Sequence, residues 1–127
     1  MLSNFEKVLQ FCQTFGHHVG KEPSWPDVDT IRLRTNLIKE EATETIKALT
    51  EEDIPEIAKE LADLLYVTYG TAVAFGIDLD AVFEEVHLSN MSKVGKDGKP
   101  ILREDGKILK GPNYVPADIE GVLGWNP

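Results

Sequence analysis

Five carboxylates, spaced as Glu40-Glu41-x-x-Glu44 and then, across fifteen intervening residues, Glu60-x-x-Asp63, constrain this chain more than any other feature of its sequence. An α-helix advances about 100° per residue, which leaves Glu40 and Glu44 about 40° apart and Glu41 and Glu44 about 60° apart. Three acids then share one helix face. Glu60 and Asp63 repeat the three-residue offset inside Glu-Leu-Ala-Asp-Leu-Leu, where Leu61, Ala62, Leu64 and Leu65 are expected to be buried, so that two acids sit among core residues. Taken alone, Glu40, Glu41 and Glu44 also fit a solvated helix face, because glutamate is a favoured exposed helix residue. The second group resists that explanation.

Carboxylates held close together and partly out of water repel one another and resist ionisation unless a cation compensates. The donor set here is all oxygen, with no Cys or His in it. Mg²⁺ prefers such ligands, keeps several waters, and binds through a few carboxylates together with substrate phosphates. A short link between the two acidic helices makes them antiparallel neighbours, so their acidic faces can meet across a cleft.

The rest of the chain is helical in periodicity up to Val94. Ser3 and Glu6 form a capping box for a first helix whose apolar spacing runs through Phe5, Val8, Leu9, Cys12 and Phe15 up to Gly16. Gly20, Pro23 and Pro26 make 17–29 a loop carrying Trp25, with Asp29 or Thr30 as the cap of a second helix from about Ile31 to Leu49. Asp53 caps a third helix, Pro55 sits in its first turn, and Gly76 ends it. Asp78 caps a fourth, with Leu79, Val82, Phe83 and Val86 as its apolar stripe. Beyond Val94, the pair Asp105-Gly106 between Ile101-Leu102 and Ile108-Leu109 predicts a small hairpin or ordered loop, and Asp118 with Ile119, Val122 and Leu123 a turn or two of helix. The expected fold is all-α, a four-helix bundle with a short C-terminal hairpin or loop extension. It is expected to be one domain over 1–127, with a helical core at about 3–94 and the extension at 95–127.

Charge narrows the choice of partners. The net charge is −9, and residues 1–94 carry 17 acids against 8 bases while 95–127 carry five of each, so the acid excess lies wholly in the helical part. That argues against a nucleic-acid polymer, whose phosphates need clustered Lys and Arg. No apolar run approaches the ~20 residues that span a bilayer, and the first residues lack a basic flank followed by an apolar core. A cytoplasmic protein without a membrane partner is expected. The single cysteine, Cys12, reads as inert packing on the first helix.

The Glu-Glu-x-x-Glu and Glu-x-x-Asp elements, in that order and spacing, resemble the motif of the MazG-like superfamily of all-α nucleotide pyrophosphatases. Residues 81–93, Ala-Val-Phe-Glu-Glu-Val-His-Leu-Ser-Asn-Met-Ser-Lys, resemble the fourth helix of the branch related to phosphoribosyl-ATP pyrophosphohydrolase and to MazG-like dUTP pyrophosphatases. The resemblance covers roughly residues 5–120. It implies Mg²⁺-dependent hydrolysis, with Mn²⁺ as a substitute, of a nucleoside triphosphate to the monophosphate and pyrophosphate. By motif position, Glu41, Glu44, Glu60 and Asp63 would be metal ligands, and Glu40 would orient or deprotonate the attacking water. Asn90 and Lys93 match an Asn-x-x-Lys element that contacts nucleotide, and their three-residue offset places them on one helix face. Among the tail bases, Lys110 with Lys96, Arg103 and Lys107 is a candidate phosphate clamp. Tyr114 and Trp25 offer rings that could stack on a base or pack on the bundle. A homodimer or homotetramer follows from the family, as do dUTP as the first substrate to try and a role in clearing unwanted nucleotides.

Alternatives stay open. Phosphoribosyl-ATP is a second substrate class, and an acidic helical scaffold without turnover is a non-enzymatic reading. Glu84-x-x-His87 fits half of the signature of carboxylate-bridged di-iron bundles, but the second copy which that site needs is missing.

Overall fold

The computed structural model describes residues 1–125, so the last two positions of the expected domain lie outside the described residues. The described residues are all-α apart from one two-stranded ribbon. Its elements are α1 (Asn4–Thr14), α2 (Val28–Thr50), α3 (Ile54–Phe75), α4 (Leu79–Met91), β1 (Ile101–Leu102), β2 (Ile108–Leu109) and α5 (Ile119–Leu123). Among the described residues, no helix is long and apolar enough to cross a membrane. The contacts divide into two compact units, Met1–Leu79 and the residues from Asp80 onward.

In the first unit, helix starts follow the supply of acceptors for otherwise unbonded N–H groups. Ser3 Oγ accepts from the Glu6 amide at 3.1 Å and Glu6 Oε1 accepts from the Ser3 amide at 2.9 Å, the capping box expected for α1. That helix stops at Thr14, short of Gly16. Helix α2 begins at Val28, three residues earlier than its periodicity suggests, because the cap is Asp27 and not Asp29 or Thr30. The Asp27 carboxylate accepts from both the amide (3.2 Å) and the hydroxyl (2.5 Å) of Thr30, so Thr30 serves as donor to the cap. Asp53 caps α3, with Pro55 in the first turn as expected.

The link between α2 and α3 is only 51–53, and its middle residue, Glu52, takes a left-handed φ of 55°. So tight a reversal leaves the two helices packed antiparallel. Thr45, buried at their interface, directs its Oγ1 at the carbonyl oxygens of Glu41 (2.7 Å) and Glu60 (3.2 Å), joining the helices at the level of the acidic motifs. Helix α1 packs on α3 through Val8, Cys12 and Val73, flanked by Phe5, Leu9, Val19 and Tyr69. Cys12 is thus a packing residue, as expected. Each buried valine contributes about 1.5–3 kcal/mol relative to exposure. At the end of α3, Gly76 holds φ at 69°, and a Cβ there would lie 2.2 Å from the Glu22 carbonyl oxygen. The preceding loop closes over this end through Gly20 N to Val73 O (2.9 Å) and Ser24 N to Phe75 O (3.0 Å). Trp25 meets the edge of Phe75 at 5.6 Å between ring centroids.

One expectation about α3 is overturned. Leu61 and Leu65 are 51% and 47% exposed and Ala62 is exposed too, whereas Glu60 is buried and Asp63 and Leu64 are half-buried. The acids take the positions that face α2, and the helical step of about 100° then turns Leu61 and Leu65 away from it.

In the second unit, Glu85, Ser89 and Ser92 line one side of α4 and its last turn and hold the tail. Ser89 Oγ donates to the Val115 carbonyl at 2.7 Å, Val115 N donates to Ser92 Oγ at 2.9 Å, and Asp118 N donates to Glu85 Oε1 at 2.9 Å. Strands β1 and β2 pair antiparallel, Ile101 opposite Leu109 and Leu102 opposite Ile108, as the Asp-Gly turn predicts. Asp118 caps the short α5.

Candidate active site

Three of the five acids converge. Glu41 from α2 and Glu60 and Asp63 from α3 each bring a carboxylate oxygen within 4.8 Å of the others. Glu60 is 4% exposed, and its Oε2 and the Oε2 of Glu41 are buried without a hydrogen-bond partner. Orphaned buried carboxylate oxygens are costly, and an oxygen-loving dication is the partner their chemistry fits. The residues present therefore suit a hard divalent ion.

The electrostatics carry the same strain. Partial burial pushes the Glu41 carboxyl above the usual glutamate range, and the neighbouring charges of Glu44, Asp63 and Glu60 push it further. Glu44 is raised chiefly by a hydrogen bond shared with Glu60, then by the Glu60 charge. Glu44 therefore adjoins the trio while standing exposed beside it. Glu40 is exposed and lies outside the trio.

Two members of this neighbourhood escaped the sequence reading. Lys59 Nζ lies 2.8 Å from Asp63 Oδ2 and 3.5 Å from Glu60 Oε1, and these acids raise the lysine's pKa. Glu56, one turn before Glu60, is raised first by a hydrogen bond with it, extending the acidic face along α3. Both stand at i,i+4 offsets from motif acids, the signal that would have found them. Together Glu44, Glu51, Glu56 and Glu60 line most of an open cleft of about 280 Å³.

The other anticipated site residues lie in the second unit. Asn90 is exposed in the last turn of α4, which ends at Met91, so Lys93 belongs to the turn beyond it and not to the same helix face. The two stay linked by Lys93 N donating to Asn90 O at 3.2 Å. Lys110 Nζ stands over the Tyr114 ring, 4.8 Å from its centroid, so these two are brought together. Arg103 is engaged with Asp105. Glu84 and His87 are exposed on α4, and the trio of Glu41, Glu60 and Asp63 includes neither.

Fold and site define a class: a helical protein that gathers carboxylates from two antiparallel helices into one oxygen-donor cluster. The phosphoribosyl-ATP pyrophosphohydrolase family matches residues 8–90, a stretch containing all five acids and Asn90, and the chain belongs to that family. Over 112 residues it is 35% identical to uncharacterized protein L479 of Acanthamoeba polyphaga mimivirus. That match takes in 85% of this chain and 42% of the relative, so the chain spans less than half of that protein's length. A crystal structure of a candidate NTP pyrophosphohydrolase from Exiguobacterium sp. 255-15 aligns with a TM-score of 0.48 at 24% identity, covering 98% of this chain and 96% of that one.

Proposed function

We propose that this chain hydrolyses a nucleoside triphosphate, dUTP or another ribo- or deoxyribonucleotide, to the monophosphate and pyrophosphate with the help of Mg²⁺, which Mn²⁺ can replace. The observation that carries the reading is the trio of Glu41, Glu60 and Asp63, with Glu60 buried, the other two half-buried, and two buried oxygens without a hydrogen-bond partner. Family membership supports it at the level of reaction class.

Glu41, Glu44, Glu60 and Asp63 would hold the metal, whose bound charge neutralises the phosphate oxygens and the charge developing on them. Thr45 ties the Glu41 and Glu60 backbones together and keeps the two ligand-bearing turns in register. Glu40, exposed one residue before the trio, takes the proton of the attacking water. The water oxygen bonds to phosphorus, the phosphoanhydride bond breaks, and pyrophosphate leaves. Asn90, Lys93, Lys110 and Tyr114 are proposed substrate contacts on the strength of the family motif and the Lys110–Tyr114 pairing. The two units are taken as one functional domain, acting in the cytoplasmic nucleotide pool.

The exposed Leu33, Ile46, Leu49, Leu61 and Leu65 support self-association as a homodimer or homotetramer, since exposed apolar side chains gain by burial against a second copy. A second reading, hydrolysis of phosphoribosyl-ATP, draws on the family's description. Pyrophosphate release from a panel that includes dUTP, the common nucleotides and phosphoribosyl-ATP, with Mg²⁺ and with chelator, separates the two and tests both. Absence of metal-dependent release from every substrate would leave only an acidic scaffold.

A further inference from the structure

Arg34 is 5% exposed, yet among the described residues no carboxylate pairs with it, and its Nε has no hydrogen-bond partner. Its guanidinium lies against the backbone of Gly70, where an added Cβ would sit 2.8 Å from Nη1. A glycine in the middle of a long helix weakens it. Here it makes room for a buried guanidinium that has the Cys12 thiol as a hydrogen-bond partner but no carboxylate to balance its charge, and a buried cation without a counter-ion is a liability. The group borders a pocket of about 170 Å³ lined by Phe11, Cys12, His17, Tyr66 and Leu37 among others. His17 Nδ1 is likewise buried without a partner. The Phe11 ring meets Tyr66 and His17 edge-on at 5.4 and 5.8 Å, giving the pocket aromatic walls. Apolar walls with a few convergent polar atoms are the usual makeup of a small-molecule site.

Its position relative to the acids is specific. Arg34 precedes Glu41 by seven residues on α2, and Gly70 follows Asp63 by seven on α3. Seven residues return a helix to within about 20° of the same face, about 10 Å along its axis. Arg34 and Gly70 therefore lie on the same faces of α2 and α3 as Glu41 and Asp63, displaced along the helices by roughly the length of a sugar and its linking phosphate.

We propose that this pocket receives the base of the nucleotide whose phosphates the acidic trio takes, with Arg34 and His17 reading carbonyl oxygen on a pyrimidine ring. The inference rests on the function proposed above and adds its substrate class. Arginine supplies donors only, so it selects an edge bearing acceptors, and adenine offers no carbonyl. A cavity of this size suits one ring rather than two.

The test is calorimetric titration of the intact protein with dUMP, dCMP and dAMP, alongside Arg34→Met and Gly70→Ala. Met keeps length and removes the charge, while Ala fills the space under the guanidinium and favours the helix. Wild type is expected to bind the pyrimidine monophosphates at least tenfold tighter than dAMP. Both variants should lose that preference, with unchanged or higher melting temperature and unchanged sedimentation. Equal binding of all three by wild type, binding of none, or a preference retained in both variants overturns the proposal. So does an Arg34→Met protein that melts earlier and falls into smaller species, which would assign Arg34 to an acid of a second copy. Pyrophosphate release by wild type without any base preference would sink the pocket and leave the reaction class standing.

Discussion

Lys59 Nζ lies 2.8 Å from Asp63 Oδ2, so the acidic trio carries a tethered cation of its own. A dication entering the trio must compete with that ammonium for Asp63 and, at 3.5 Å, for Glu60. The lysine is 65% exposed, so solvent screening keeps the pair weak. Replacing it by methionine is expected to tighten apparent Mg²⁺ affinity by up to about fivefold. Calorimetric titration of Mg²⁺ into Lys59→Met and wild type, without nucleotide, checks this. Weaker binding would instead make Lys59 an organiser of the ligands.

Glu41→Gln and Asp63→Asn keep side-chain volume and remove charge. Each is expected to lower kcat/KM by about 10²–10³-fold, the usual effect of deleting one element of a preorganised electrostatic site. Metal affinity should fall in the same variants. Pyrophosphate release at saturating Mg²⁺, with melting curves to verify folding, decides the point.

The raised carboxyls give the metal-free protein a signed pH dependence. Glu41 titrates high first through burial and then through Glu44, Asp63 and Glu60, while Glu44 and Glu56 do so first through hydrogen bonds to Glu60. A group whose folded pKa exceeds its unfolded value contributes stability that is complete below the unfolded value, about 4.3 for glutamate, and is lost as pH climbs through the folded one. In chelator, these acids should therefore make the protein less stable as pH rises from about 4.3 into their raised range. Thermal melts across that range should show the decline. It should shrink in Glu41→Gln, and Mg²⁺ should reverse it near neutral pH.

Gly76→Ala tests the closure of α3. Its φ of 69° is strained for any residue with a Cβ, and the added atom would meet the Glu22 carbonyl oxygen. A loss of about 1–3 kcal/mol is expected from the backbone conformation alone. Urea unfolding measures it, and an unchanged midpoint would mean that the loop over this helix end moves freely.

The features legible in the sequence were those set by local chemistry. Ser3 with Glu6, Asp53 with Pro55, and Gly76 fix helix ends through bonds spanning a few residues, and the link at 51–53 forces Glu41 opposite Glu60 and Asp63. The start of α2 is not legible in the sequence because Asp27 and Asp29 are equally good caps, and only the geometry at Thr30 chooses between them. The exposure of Leu61 and Leu65 on α3 is not legible because hydropathy favours burying leucine, whereas the helix turns its acids toward α2. Arg34 carries no signal in the sequence, since its seven-residue spacing from Glu41 matters only once Gly70 is known to lie against it.

With Leu61 and Leu65 pointing away from the turn that carries Glu60 and Asp63, α3 offers two independently editable surfaces. Polar residues introduced at 61 and 65 would weaken any association carried by that face and leave the side chains of Glu60 and Asp63 as they are, so the part played by assembly can be separated from the part played by the acids.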